Sequence, residues 1–145
     1  MNDDTEYSSA PFTLDATIRP RRVLAVDDSV DLLESLAMVL RLLGHEVETA
    51  PDGETALETI RAWRPDVALV DIGLPGLSGY DVARAVRATD STAPDPLRPV
   101  LVAMTGWGRE SDRSAAIEAG FDMHIVKPVG LARLQQLFRE LPSRP

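Results

Sequence analysis

The most constraining feature of this sequence is a repeated pattern, in which a short apolar run stops abruptly at a polar residue. The clearest case is the run Val67-Ala68-Leu69-Val70, which ends at Asp71 and leads into a loop rich in Gly and Pro. A helical pattern then begins near Tyr80. A buried strand that stops at an acid places that acid at the rim of a sheet. Asp71 is therefore the first candidate for a reactive group.

Five strand-like runs alternate with five helical patterns. The runs lie at residues 23–26, 45–50, 67–70, 100–104 and 123–126, and the helices are predicted between them and at about 131–141. Alternation of this kind implies right-handed crossovers and a parallel sheet covered by helices on both faces. The first, third and fourth runs are continuously apolar and should be central, whereas the second and fifth are mixed and should be edges. The prediction is an α/β fold, a flavodoxin-like doubly wound (βα)5 sheet with strand order 2-1-3-4-5.

The domain boundaries follow from composition. Residues 21–141 carry the pattern, residues 1–20 are predicted to be an N-terminal tail or linker, and residues 142–145 a short C-terminal tail. Residues 89–99 contain three prolines and no periodicity, which predicts a long surface loop. The first helix is expected to bury an apolar stripe formed by Leu32, Leu33, Leu36, Val39, Leu40 and Leu43.

Charge and composition exclude several functions. The formal net charge of -8 argues against direct nucleic-acid binding, and only 5% of residues are aromatic, which disfavours a base-stacking surface. The absence of cysteine excludes disulfides, thiolate zinc sites and cysteine nucleophiles. No apolar run approaches the roughly 20 residues of a membrane span, and the N-terminus does not resemble a signal peptide. We therefore expect a cytoplasmic protein without membrane contact.

Four of the five predicted strands end in residues able to do chemistry. These are Asp27-Asp28, Asp71, Thr105 and Lys127. Because the carboxyl ends of parallel strands line the ligand crevice of such sheets, these side chains should meet in one pocket. Three neighbouring carboxylates stay ionised together only if a cation neutralises them, and oxygen ligands favour Mg²⁺. A carboxylate beside Mg²⁺, an ammonium and a hydroxyl can attack a phosphoryl group and form an aspartyl phosphate.

These motifs together resemble the receiver domain of two-component response regulators over about residues 21–141. The resemblance rests on VLAVDDS, DIGLPGLSG, VAMTG and HIVKP, in that order and each at a strand end. It implies that Asp71 is the phosphoacceptor and that Thr105 and Lys127 assist. It further implies that Asp28 binds Mg²⁺ directly, that Asp27 binds it partly through water, and that the Gly73 carbonyl completes the metal shell with Asp71. The Lys127–Pro128 bond is expected to be cis.

Three positions are variable within the family pattern. A switch position, usually Tyr or Phe, is His124 here, so a coupled movement with Thr105 is in question, although a charged imidazole could add pH sensitivity. Gly73 and Trp107 occupy positions that tune dephosphorylation in the family. Trp107 could shield the acyl phosphate from water, or it could instead pack in its loop or contact a partner.

The resulting hypothesis is a phosphoacceptor domain that catalyses only its own phosphorylation and dephosphorylation. Its expected partners are a histidine kinase or histidine phosphotransfer protein, and a downstream protein that contacts the fourth helix, fifth strand and fifth helix. An alternative is a receiver module from a hybrid histidine kinase or a larger regulator. An aspartyl-phosphate phosphatase needs a second acid where Gly73 stands, and a flavodoxin needs a Ser/Thr/Gly phosphate loop where Asp27-Asp28-Ser29 stands.

Overall fold

The computed structural model describes residues 19–90, 98–106 and 110–141, which form alternating strands and helices. The strands are β1 (Arg22–Val26), β2 (Glu46–Ala50), β3 (Val67–Asp71), β4 (Val100–Thr105) and β5 (Met123–Val126). The helices are α1 (Val30–Leu42), α2 (Gly53–Trp63), α3 (Gly79–Asp90), α4 (Glu110–Ala119) and α5 (Leu131–Glu140). All neighbouring strands are parallel, in the order β2-β1-β3-β4-β5, so the predicted fold is confirmed.

Alternation along the central strands produces two hydrophobic cores, one on each face of the sheet. On β1, Val23 and Ala25 pack with α1 and α5, while Leu24 and Val26 pack with α2, α3 and α4. Every residue of β3 is buried, as expected for a central strand covered on both faces. Burial of apolar surface on both faces stabilises the sheet.

Helix caps set where the helices begin. The Ser29 hydroxyl accepts a long hydrogen bond from the Leu32 amide at the start of α1 (3.4 Å), and the Asp52 carboxylate accepts one from the Thr55 amide in α2 (2.7 Å). Gly44 follows α1 with φ of 96°, a left-handed conformation that glycine adopts without strain. The chain therefore changes direction at both ends of α1 and at the start of α2.

The apolar stripe predicted for α1 is partly wrong. Leu33, Leu40 and Leu43 are buried as predicted, but Leu32 is 54% exposed and lies on the solvent side. The helix buries one face about 100° wide, and Leu32 falls outside it because adjacent residues point about 100° apart. In addition, α3 continues to Asp90, so the first two residues of the predicted loop at 89–99 are helical.

The predicted tails lie almost entirely outside the described residues, at 1–18 and 142–145, as does Trp107. Among the residues that the structure describes, no helix is both long and apolar enough to span a bilayer. The Lys127–Pro128 peptide bond is cis, as expected from the motif resemblance.

Candidate phosphoacceptor site

Three carboxylates converge at the carboxyl edge of the sheet. Asp27 and Asp28 follow β1, Asp71 ends β3, and one carboxylate oxygen of each lies within 4.8 Å of the other two. Asp27 and Asp71 are buried (3% and 9% exposed), whereas Asp28 is exposed. The neighbouring strands β1 and β3 bring these acids together, so the cluster predicted from strand placement is present, with one wall open to solvent.

Lys127 reaches this cluster from the end of β5, 100 residues along the chain from Asp27. Its Nζ atom lies 2.7 Å from Asp27 Oδ2 and 3.3 Å from Asp71 Oδ2. Burial lowers the pKa of Lys127, but the hydrogen bond to Asp27 and the charges of Asp71 and Asp27 together outweigh burial and raise it. The side chain therefore remains an ammonium at neutral pH and links two of the three acids.

Backbone amides orient both buried carboxylates. The Ser29 amide donates to Asp27 Oδ1 (2.9 Å), and the Gly73 amide donates to Asp71 Oδ1 (3.0 Å). Each acid thus holds one oxygen toward a backbone N–H and the other toward the ammonium of Lys127. In such an Asx turn, the side chain of an Asp accepts a hydrogen bond from the amide two residues later. The Asp27-Asp28-Ser29 sequence could therefore have predicted that the Ser29 amide orients Asp27, in addition to the role of the Ser29 side chain as a helix cap.

Thr105 ends β4 at the same edge and is almost completely buried (1% exposed). Its carbonyl accepts a hydrogen bond from the Lys127 amide (2.7 Å), which fixes the ends of β4 and β5 relative to each other. The Ile72 amide donates to the Met104 carbonyl (3.1 Å), so the loop after Asp71 is also tied to β4. Because Asp71 pairs with Met104 and the Lys127 amide contacts Thr105, Thr105 and Lys127 lie at the same edge of the sheet as Asp71.

Gly79 lets α3 begin directly against the end of β3. A Cβ atom at this position would lie 2.5 Å from the Asp71 carbonyl oxygen and 2.6 Å from the Ile72 Cα atom. The helix is capped there by Ser78 and Asp81, whose side chains and amides exchange hydrogen bonds of 3.1 and 3.2 Å. The sequence indicates a helix start at Gly79, but the close approach to Asp71 becomes visible only in three dimensions.

His124 lies on the edge strand β5 and is partly buried. Together with Arg113, Ile117 and Phe121 it lines a cavity of about 250 Å³ between α4 and β5. The side chain of Ile117 is 67% exposed beside this cavity. His124 therefore lies on the face predicted to contact a downstream protein and one strand away from Thr105.

The fold and the acidic site define a signalling receiver, and a family model agrees. Residues 23–139 match the response regulator receiver domain, so the chain belongs to this family. The carboxylate cluster, Lys127 and the strand order all fall within the matched range.

Individual proteins show the same relationship. The chain is 41% identical to the transcriptional regulatory protein PrrA of Mycobacterium leprae over 131 residues, which cover 90% of this chain and 54% of PrrA. It thus spans about half the length of the curated relatives it matches.

Two solved structures are similar in fold and sequence. A putative response regulator from Chloroflexus aurantiacus has a TM-score of 0.70 and 33% identity, covering 83% of this chain and 98% of that one. The receiver domain of sensor histidine kinase PA1611 from Pseudomonas aeruginosa has a TM-score of 0.72 and 29% identity, covering 83% and 96%. The latter structure carries a magnesium ion coordinated in its active site cleft.

Proposed function

We propose that this chain accepts a phosphoryl group on Asp71 from a phosphohistidine donor and thereby switches a protein-binding surface. The observation that carries the proposal is the meeting of Asp27, Asp28 and Asp71 with Lys127, which contacts two of the three acids. An acid with only a structural role would need a single hydrogen-bond or ion-pair partner. Here three acids and one ammonium are concentrated at the carboxyl edge of the sheet.

The donor set fits Mg²⁺. Three carboxylates face a single ammonium, so negative charge is in excess, and the exposed Asp28 leaves an open approach for a hydrated ion. We propose that Asp27, Asp28, Asp71 and the Gly73 carbonyl hold the ion, which favours oxygen ligands and retains several waters. When bound, Mg²⁺ would neutralise charge on the transferring phosphoryl group.

The reaction we propose is an in-line displacement at phosphorus. A carboxylate oxygen of Asp71 forms the new P–O bond as the P–N bond to the donor imidazole breaks, and the imidazole leaves with the bonding electron pair. Lys127 would stabilise charge on the phosphoryl oxygens, and the Thr105 hydroxyl would donate a hydrogen bond to one of them. Hydrolysis of the acyl phosphate by water would reset the domain, with Gly73 and Trp107 as proposed modulators of that step.

The proposed partners follow from the two exposed parts of the domain. A histidine kinase or histidine phosphotransfer protein would approach the open side of the site beside Asp28. A downstream protein would bind the face formed by α4, β5 and α5, where His124 and Thr105 are the proposed switch residues. We propose a cytoplasmic protein in which this domain does not itself bind nucleic acid.

The alternative of a receiver module within a larger protein has specific support. PrrA, which carries the name of a transcriptional regulatory protein, is about twice as long as the stretch it shares with this chain. In that arrangement the switched face would act on a further domain of the same polypeptide. The phosphatase alternative has no such support, because Gly73 offers no side chain where a second acid would be needed.

Mass spectrometry after incubation with acetyl phosphate and Mg²⁺ tests the proposal. We expect one phosphoryl adduct on the native chain, labile to hydroxylamine, and none on Asp71→Asn. Asp31→Asn is the matched control, because it makes the same chemical change at an exposed acid in the first turn of α1. An adduct that persists in Asp71→Asn, or a native chain that never acquires one, would refute the assignment.

A further inference from the structure

Gly53 contacts the loop that follows the phosphoacceptor, although it belongs to a different helix. It is buried and is the first residue of α2. A Cβ atom added there would lie 2.6 Å from the Leu77 carbonyl oxygen, 3.0 Å from Leu77 Cβ and 3.1 Å from Val82 Cγ2. Only a residue without a side chain permits this separation between α2 and the loop.

Leu77 lies in the short connection between Asp71 and α3. The same connection contains Gly73, whose amide holds Asp71 Oδ1 at 3.0 Å. At its far end Gly79 leaves no space against the Asp71 carbonyl. The connection is therefore confined on one side by β3 and on the other by the start of α2.

The start of α2 yields less readily than the connection does. Its first turn is capped by the Asp52 carboxylate, and Ala56 and Ile60 anchor it in the core. The preceding strand is also fixed, because the Asp27 amide donates to the Ala50 carbonyl at 3.2 Å. Pressure from a side chain at position 53 would consequently displace the connection, and a backbone carbonyl cannot rotate away as the end of a side chain can.

We infer that Gly53 is a positioning residue for the phosphoacceptor loop. By having no side chain, it sets where Leu77 lies and thereby how Gly73 meets the carboxylate of Asp71. This inference rests on the function proposed above for Asp71. A Cβ atom at position 53 would meet Leu77 and Val82 first, so Gly53 acts on the site only through the loop.

The test compares Gly53→Ala with Gly130→Ala. Gly130 precedes α5 with φ of -96°, and a Cβ atom there would have no neighbour within 4 Å, although Lys127 is only three residues away. We expect Gly53→Ala to slow aspartyl-phosphate formation by about tenfold or more, since a misplacement of about 1 Å at reacting groups can cost about 10²-fold. Gly130→Ala should match the native rate within about twofold.

A second readout separates positioning from loss of stability. The Gly73 amide resonance reports its hydrogen bond to Asp71, so it should shift in Gly53→Ala and not in Ile60→Val, which only shortens a core side chain of α2. Both variants should remain folded at the assay temperature. Equal rates in Gly53→Ala and the native chain, or an equal slowing in Ile60→Val, would overturn the inference.

The controls keep this inference distinct from the proposed function. If the native chain forms no adduct, the proposed function fails first. If the native chain, Gly130→Ala and Gly53→Ala all react alike, only the role of Gly53 fails. Should Gly53→Ala not stay folded at the assay temperature, the rate and the Gly73 resonance are measured at a lower temperature, with the native chain and Gly130→Ala measured alongside.

Discussion

His45 should make the stability of this domain depend on pH. It precedes β2, is 5% exposed, and stacks on Phe138 of α5 with ring centroids 4.2 Å apart. Its Nδ1 atom accepts a hydrogen bond from the Arg21 amide (3.1 Å), so the neutral ring carries its proton on Nε2. Among the described residues, Nε2 has no hydrogen-bond partner. A second proton would therefore break the one hydrogen bond the ring accepts and bury a charge.

Burial, and next the positive charge of Arg21, lower the pKa of His45 from 6.5 to about 4. Phe138, which stacks on the ring, offers no compensating charge. Because the folded pKa is depressed, the unfolded chain binds more protons between about pH 4 and 6.5. The stabilisation is fully present above about pH 6.5 and is lost as the pH falls toward 4. Linkage gives a loss of about 2 kcal/mol between pH 7 and pH 5.

The measurement is urea unfolding of the native chain and of His45→Asn at several pH values. Asparagine keeps an oxygen able to accept from the Arg21 amide but does not titrate. Between pH 7 and pH 5, the free energy of unfolding of the variant should fall by about 2 kcal/mol less than that of the native chain. Because both proteins contain the same carboxylates, the contribution of these groups cancels in the comparison. His124→Gln is the matched control, because it replaces the other of the two histidines in the sequence, and the loss of about 2 kcal/mol assigned to His45 should persist in it. Parallel pH profiles for native and His45→Asn proteins would refute the reasoning.

Two further predictions concern charged side chains at opposite edges of the sheet. Lys127→Met should keep the fold but slow phosphorylation by about 10²-fold, because the ammonium between Asp27 and Asp71 is lost. A time course of adduct formation by mass spectrometry measures the rate. A rate within about twofold of the native chain would contradict the prediction. Arg87→Met should lower the free energy of unfolding by about 2–3 kcal/mol, because Arg87 donates to the Gly120 carbonyl (2.9 Å), the Pro99 carbonyl (3.1 Å) and Asp122 (2.6 Å). Denaturant unfolding checks the second prediction, and a loss below about 0.5 kcal/mol would show that these contacts are replaced by water.

The sequence alone determined the architecture, because continuous apolar runs and helical periodicity report local burial directly. The all-apolar β3 and the mixed β2 were enough to separate central from edge strands, and strand order followed. The position of Asp27, Asp71 and Lys127 at strand ends then predicted that they form one cluster. In the structure, Lys127 Nζ lies 2.7 Å from Asp27 Oδ2 and 3.3 Å from Asp71 Oδ2. The roles of these residues in phosphotransfer stay predictions until the adduct is measured.

Tertiary structure decided the features that depend on how separate elements pack. Leu32 belongs to the leucine-rich stripe predicted for α1, yet it faces solvent. The orientation of the helix is set by all the residues of its apolar face together, and Leu32 lies outside that face. His45 reads as an edge-strand residue but is buried, because Phe138 from the last helix covers it. Gly53 follows Pro51-Asp52, a sequence typical of a turn, and its contact with the Leu77 carbonyl of another element is visible only in the structure. The periodicity of apolar residues indicates which side chains are buried. The contacts of His45 with Phe138 and of Gly53 with Leu77 arise only when elements far apart in sequence pack together.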